Sequence, residues 1–239
     1  IARRDGRRDV RRAGVSPTVG TLIEDAARNL AASADLAEAR REAQILFGHA
    51  TGISRAWLSA HRNEAADPSV AEPFHALVRR RQAGEPVAYL VGRREFYGLE
   101  FRVTPDVLIP RADTETLVDV ALEKLTEGTQ PDVLDLGTGS GCIAIAIARE
   151  RPAARVTATD VSETALKVAR GNALAIGVDV ELVRGAWFEP LAGRRFDLIV
   201  SNPPYVAIGD QHLQQGDLRF EPATALASGM DGLADIRII

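Results

Sequence analysis

Asn202-Pro203-Pro204-Tyr205 is the stretch whose residue types and order can do chemistry. It follows the apolar run Phe196-Asp197-Leu198-Ile199-Val200, and two consecutive prolines cannot continue a strand, so the backbone is frozen where a buried strand ends. Open α/β sheets take their ligands just beyond the carboxyl ends of their strands. There the Asn202 amide can present its carbonyl oxygen to a substrate N–H, and a second donor can go to the carbonyl of Pro203. Tyr205 supplies an aromatic face against a flat –NH2 group, and Pro204 stiffens the turn. A capped surface turn would use the same residues, so the choice rests on what lies upstream.

Upstream, Asp132-Val133-Leu134-Asp135-Leu136 reads as a buried strand running into Gly137-Thr138-Gly139-Ser140-Gly141 and then a helix. Glycines let the backbone approach a ligand closely. The Gly-x-Gly-x-Gly spacing puts Cys142 where a dinucleotide fingerprint has its last small residue, which argues against NAD. No Gly-Lys-Ser/Thr follows to cradle a phosphate. Asp160 stands 19 residues after Gly141, at the end of the next strand, where a carboxylate can accept hydrogen bonds from both hydroxyls of a ribose. Capping the helix that follows is its plainer role. Asp135 can hold the turn or a ligand's amino group. Cys142, amid alanine and isoleucine, reads as packing and not as a nucleophile. Trp187, after the third strand, can pack on an adenine ring or serve the core. An acidic residue before a turn of alternating glycines resembles the first motif of class I S-adenosylmethionine-dependent methyltransferases.

The elements that must position these residues are legible from composition and period. At 239 residues, 46% of them hydrophobic, the chain can fill one sizeable α/β core and a smaller one. A net charge of −4 with mixed signs provides no general field for nucleic acid or an anionic membrane. The single cysteine permits no internal disulfide and no cysteine metal cluster, in keeping with a reducing cytoplasm. The longest apolar run, Cys142 to Ala148, is far shorter than a bilayer span of ~20 residues.

Residues 1–15 form a basic extension, six arginines and two aspartates in the first fourteen positions, which predicts disorder or a misassigned start. Residues 16–83 are helical in pattern, with Leu22-Ile23, Ala26-Ala27 and Leu30 at three-and-four spacing. Asp35 with Glu38, Gly52, and Asp67-Pro68 punctuate this region as caps. His49, His61 and His75 lack metal-ligand spacing, and no metal is expected. Residues 84–110 read as a linker, broken open by Gly84-Glu85-Pro86 and carrying a β-hairpin around Gly98. Residues 111–239 begin with a helix from Thr114 to Leu125, for which Asp113 is the expected N-cap. Strands at 133–136, 156–159, 180–183 and 198–201 then alternate with helices at 142–149 and 164–175. That alternation predicts a parallel sheet with crossover helices.

Several stretches taken together resemble the peptide chain release factor N5-glutamine methyltransferases, the HemK/PrmC family. They are Gly84-Glu85-Pro86-Val87-Ala88-Tyr89-Leu90, Glu95-Phe96-Tyr97-Gly98, Ile109-Pro110-Arg111, the glycine turn and Asn202-Pro203-Pro204-Tyr205. Glu221-Pro222-Ala223-Thr224-Ala225-Leu226 and Gly229-Met230-Asp231-Gly232-Leu233 extend the likeness, which runs from about Ser16 to the last residue. The glycine turn is common to a superfamily and Asn-Pro-Pro-Tyr is shared with adenine-N6 methyltransferases. The combination in this order is what is specific.

The resemblance implies an α/β fold, a Rossmann-like class I methyltransferase domain at 111–239 preceded by a small helical substrate-binding domain and the hairpin linker. It implies S-adenosylmethionine held by Gly137, Thr138, Gly139, Ser140, Gly141, Asp160, Trp187 and Asn202. It implies methyl transfer to the glutamine of the Gly-Gly-Gln segment of class I release factors in the cytoplasm, with Asn202, Pro203 and Tyr205 catalytic. Asn202, Pro203, Pro204 and Tyr205 would bind substrate, and Phe96 would help if the hairpin folds over the site. No membrane and no direct nucleic-acid contact are expected. Rival readings are an adenine-N6 nucleic-acid methyltransferase and a cofactor-binding module without catalysis.

This sequence departs from the family pattern at three places. Ala112 stands where a second proline is common, and Ala186 where an acidic residue often precedes the Trp or Leu. The third is the chain's end: four strands are readable of the seven in the family's sheet. In the family order the fourth would then be a bare edge, which predicts a fragment of a longer protein or association through that edge.

Overall fold

The computed structural model of the chain describes residues 17–31 and 35–239, and the basic extension expected at 1–15 lies outside them. The chain divides into two units, with the boundary between Ala83 and Gly84.

The first unit is helical because its apolar residues recur at helical spacing and its polar residues cap. Helix α1 (Val19–Leu30) buries Leu22, Ile23, Ala26, Ala27 and Leu30 on one face. Thr18 caps it by accepting the N–H of Thr21. Helix α2 (Leu36–Thr51) starts at Asp35, which accepts the Ala37 N–H, and stops at Gly52 with φ +71°. A short α3 (Arg55–Ala60) leads to α4 (Pro68–Gln82), capped by Asp67 with Pro68 in the first turn. Phe47 of α2 meets Phe74 of α4 edge-to-face at 5.2 Å. Nearby, Arg81 forks onto Glu42 with bonds of 2.9 and 2.8 Å, a geometry that ties α4 to α2.

The second unit opens with α5 (Val87–Val91) and an antiparallel hairpin, β1 (Arg93–Phe96) and β2 (Leu99–Arg102). Its two-residue turn needs positive φ twice, which Tyr97 (+53°) and Gly98 (+70°) supply. The segment 84–110, expected from sequence to be a linker, is instead part of this unit. Phe96 and Phe101 lie in one core with Val118 and Ala121 of α6 (Glu115–Lys124). Asp113, the expected cap of that helix, sits in a preceding 3-10 turn, Ala112–Thr114, and Thr114 takes the N-cap position.

The alternating part folds as β3 (Asp132–Leu136), α7 (Cys142–Glu150), β4 (Arg155–Asp160), α8 (Glu163–Ile176), β5 (Glu181–Arg184) and β6 (Leu198–Ser201). All four strands are parallel, in the order β5-β4-β3-β6. The chain therefore steps outward from β3 on one side and returns on its other side, which opens a crevice at the carboxyl ends beside β3. Val133 of β3 faces the core of α7 and the hairpin, while Leu134 and Leu136 face Leu191, Trp187 and Phe196. Helix α7 is buried from Cys142 to Ala148, which is why that run is apolar on every face. Among the described residues β6 has a strand neighbour on one side only, and its Ile199 is exposed.

Asn172 of α8 is buried and spends both ends of its amide on backbone. Its Oδ1 accepts the Arg102 N–H at 2.8 Å, and Nδ2 donates to the carbonyls of Arg102 (3.0 Å) and Ser140 (2.9 Å). One side chain thus fastens β2 to the glycine turn. Asn172→Ala leaves these buried groups without their partner and should lower stability by about 1–3 kcal/mol. Urea unfolding of the two proteins measures it, and an unchanged midpoint would contradict this role.

Candidate active site

The glycine turn is built to bring backbone close to its surroundings. Gly137, Gly139 and Gly141 have φ of +71°, +56° and +83°. At Gly141 a Cβ would stand 2.8 Å from Ile145 Cδ1 and 3.1 Å from Ala169 Cβ, so glycine there lets α7 start hard against α8. The Trp187 ring lies over Gly137, 3.4 Å from where a Cβ would be. The N–H groups of Gly137 and Thr138 both donate to the carbonyl of Thr159 at 2.9 Å, which holds the turn to the end of β4.

Asp160 closes that attachment. Its Oδ2 accepts the Gly139 N–H and its Oδ1 the Ser162 N–H, each at 2.9 Å. The N-cap of α8 is Ser162, whose Oγ accepts the Ala165 N–H at 3.1 Å, so Asp160 is not the cap and faces the cavity. Asp135 is fully buried on β3. Its Oδ2 accepts the Thr138 hydroxyl at 2.6 Å, which answers for one oxygen the question left open by sequence: it holds the turn. Its Oδ1 has no partner among the described residues. Desolvation pushes this carboxyl up to about 6, against the hydrogen bond from Thr138. Burial likewise pushes the Cys142 thiol up to about 12, which leaves it neutral and packed.

Strands β3 and β6 pair with Leu136 opposite Ser201, and the Ser201 hydroxyl donates to the Leu136 carbonyl at 2.9 Å. The residues that leave these strands, Gly137 and Asn202, are therefore neighbours. Both line a cavity of about 350 Å³, together with Thr138, Gly139, Ser140, Asp160 and Trp187. Asn202 donates from Nδ2 to Thr114 Oγ1 at 3.4 Å. Pro204 lines the cavity; Pro203 is half-buried beside it, and Tyr205, 65% exposed, stands outside.

Phe96 is corrected. It is 1% exposed, its ring 6.1 Å from that of Phe101, and it does not reach the cavity. Alternation in a hairpin marks two faces without saying which is buried, and the aromatic face is the buried one here. From this part of the chain the cavity is lined instead by Asp106, Val107, Leu108, Pro110, Arg111 and Thr114, none of which sequence reasoning assigned to the site.

Glu221 was also missed. Its side chain is inaccessible, accepts the Ile109 N–H at 3.0 Å and pairs with the Arg111 guanidinium. Pro222, Thr224 and Ala225, just after it, form another part of the cavity wall. No local pattern reports a contact between residues 112 positions apart, so a single sequence carries no signal for it.

Residues 112–226 match the family described as the methyltransferase small domain, and residues 21–92 match the PrmC N-terminal domain. The chain is 54% identical over 201 residues to the release factor glutamine methyltransferase of Xylella fastidiosa, covering 84% of this chain and 73% of that one. It is 55% identical over 196 residues to that of Bordetella pertussis, with 82% and 73% covered. For that of Escherichia coli the identity is 46% over 199 residues, with 82% and 71% covered. The chain belongs to the release factor glutamine methyltransferase family. It is an S-adenosylmethionine-dependent methyltransferase with a Rossmann-like class I fold, as the glycine turn led one to expect.

The residues present fit the cofactor of this family. A Cβ at Gly139 would meet nothing within 4 Å, the turn holds no lysine for a phosphate, and the Asp160 carboxylate stands on the cavity wall. An apolar cavity with a few fixed polar groups is what a nucleoside of this size requires.

Two outcomes are expected. Asp160→Ala should weaken S-adenosylmethionine binding by about 1.5–3 kcal/mol, the range for hydrogen bonds to a charged group; calorimetry showing equal affinity would contradict the assignment. Asp135, pushed up to about 6 by burial from its ordinary value of 3.8, binds its proton more tightly in the native state. Its contribution to stability is present at pH 4 and is lost as pH rises through 6. In urea melts, the stability difference between wild type and Asp135→Asn should therefore move against wild type between pH 4 and 6.5 and be flat above 7.

Proposed function

We propose that the chain transfers the methyl group of S-adenosylmethionine to the side-chain amide nitrogen of the glutamine in the Gly-Gly-Gln segment of class I release factors. The placement of the Asn202 amide beside the glycine turn, in one cavity with Asp160, is the observation that carries this reading. When bound, the cofactor supplies a methyl group already activated on a sulfonium. An amide nitrogen is a poor nucleophile because its lone pair is delocalised, so this chain's work is positioning.

Asp160 would accept the ribose hydroxyls with the lone pairs its two backbone donors leave free. Trp187 would pack on the adenine. Asn202 Oδ1 and the Pro203 carbonyl would accept the two amide hydrogens, which fixes the nitrogen in line and favours positive charge developing on it. Tyr205, exposed beside the turn, would cover the flat face of the glutamine amide. An asparagine cannot take the proton, which leaves after transfer. The helical unit at 16–83 would grip the release factor, and its match to the PrmC N-terminal domain supports a role tied to this family. A cytoplasmic site of action agrees with a substrate that works in translation, and no described helix is long and apolar enough to cross a membrane. Direct nucleic-acid contact is not part of the reading.

Asn202→Ala should lower transfer to release factor by about 10²-fold or more, the scale for removing one aligned transition-state partner, while leaving the protein folded. Labelled cofactor offered with release factor or DNA decides the substrate: methylated adenine without methylated release factor would overturn the proposal.

A further inference from the structure

The Asn202 side chain must face the substrate with its oxygen, and nothing in its shape ensures that. The –NH2 and carbonyl ends of an asparagine are nearly the same size, so packing alone does not choose between them. A hydrogen bond must. The group in reach is the Thr114 hydroxyl, 3.4 Å from Nδ2, and both residues line the cavity. Thr114 is also spared the duty its place suggests: it stands at the N-cap of α6 and makes no side-chain capping bond. The reason is that its backbone is already helical, φ −69° and ψ −18°, because a 3-10 turn runs into α6 there. The next residue is committed elsewhere, Glu115 Oε1 accepting the Tyr97 N–H at 2.9 Å.

We infer that Thr114 is a positioning residue for methyl transfer, supplying the acceptor that lets Asn202 keep its oxygen toward the substrate. A threonine hydroxyl can donate as well as accept, but here it already accepts from Nδ2, and the substrate enforces the same direction. A glutamine –NH2 brings only donors, so Asn202 Oδ1 must turn to it and Nδ2 must turn away. In that orientation Nδ2 remains satisfied only because Thr114 Oγ accepts from it. Without the hydroxyl, the productive orientation leaves a half-buried donor unpaired and the flipped one offers donors to donors. The inference rests on the proposed amide substrate.

Thr114→Val keeps the shape and removes the acceptor; Thr114→Ser keeps the acceptor. Thr114→Val should lower kcat on release factor about tenfold, with cofactor affinity and melting temperature unchanged, and Thr114→Ser should recover most of the loss. Wild-type kcat in Thr114→Val, or a loss matched by equal losses in cofactor affinity and melting temperature, would overturn the inference. A readout independent of any substrate separates it from the proposed function. In nitrogen-15 spectra with S-adenosylmethionine bound, the Asn202 –NH2 pair, assigned with Asn202→Ala, should exchange slowly in wild type and Thr114→Ser and fast in Thr114→Val. Equal exchange in all three sinks the role of Thr114. Inactivity of wild type on release factor with the exchange pattern intact sinks the substrate reading alone.

Discussion

The parallel pairing of β3 with β6 is the constraint on which the site depends. Its register sets Leu136 against Ser201, so the chain leaves two adjacent strands at the same height, once into glycines and once into Asn202-Pro203-Pro204. A one-residue slip would turn every side chain of β6 to the other face and break the Ser201 bond to the Leu136 carbonyl. The glycine turn then offers backbone and the proline turn offers a side-chain amide. A ligand held by the first lies against the second because the strands are neighbours, with no further device.

The rest of the second unit makes walls for that crevice, and its fastenings are buried or half-buried polar groups that bond residues distant in sequence. Glu221 pins the 222–225 segment to Ile109 and Arg111, Asn172 pins the hairpin to the glycine turn, and Asp160 pins that turn to the end of β4. Such groups are costly to bury and costlier to orphan, so each holds its two segments in one arrangement. The apolar core under them, α7 and the hairpin phenylalanines, supplies most of the burial but no direction. Cavity geometry is set by the directional bonds.

Much of this was legible in the sequence. The change from helical spacing to short apolar runs located all four strands to within a residue or two at each end, and the glycine turn and Asp160, singled out by spacing, stand on one cavity wall. The first unit's caps at Asp35, Gly52 and Asp67 formed as their chemistry predicts. What failed has a common cause. Phe96 was given to the site and belongs to the core, Asp113 was given the cap that Thr114 holds, and residues 84–110 were given a linker's role although they pack in the second unit. Each is a question of which partner a residue meets, and period reports only which residues share a face. Thr114, Asn172 and Glu221 escaped for the same reason: their partners lie 32 to 112 positions away.

The charges around the cavity also limit what it can take. Asp106, Asp160 and Asp235 line it, and Asp135 lies buried behind the glycine turn with one oxygen unpaired. Arg111 is the cation among the lining residues, and Glu221 already engages it. A phosphate brought into such a place would meet carboxylates and no free lysine, whereas a ligand carrying positive charge would relieve repulsion among them. S-adenosylmethionine carries a sulfonium, an ammonium and one carboxylate, and so a net positive charge. Under the proposed function, the acidic walls would favour the cofactor by charge and the amide-presenting turn the acceptor by hydrogen-bond polarity, two selections made by different residues.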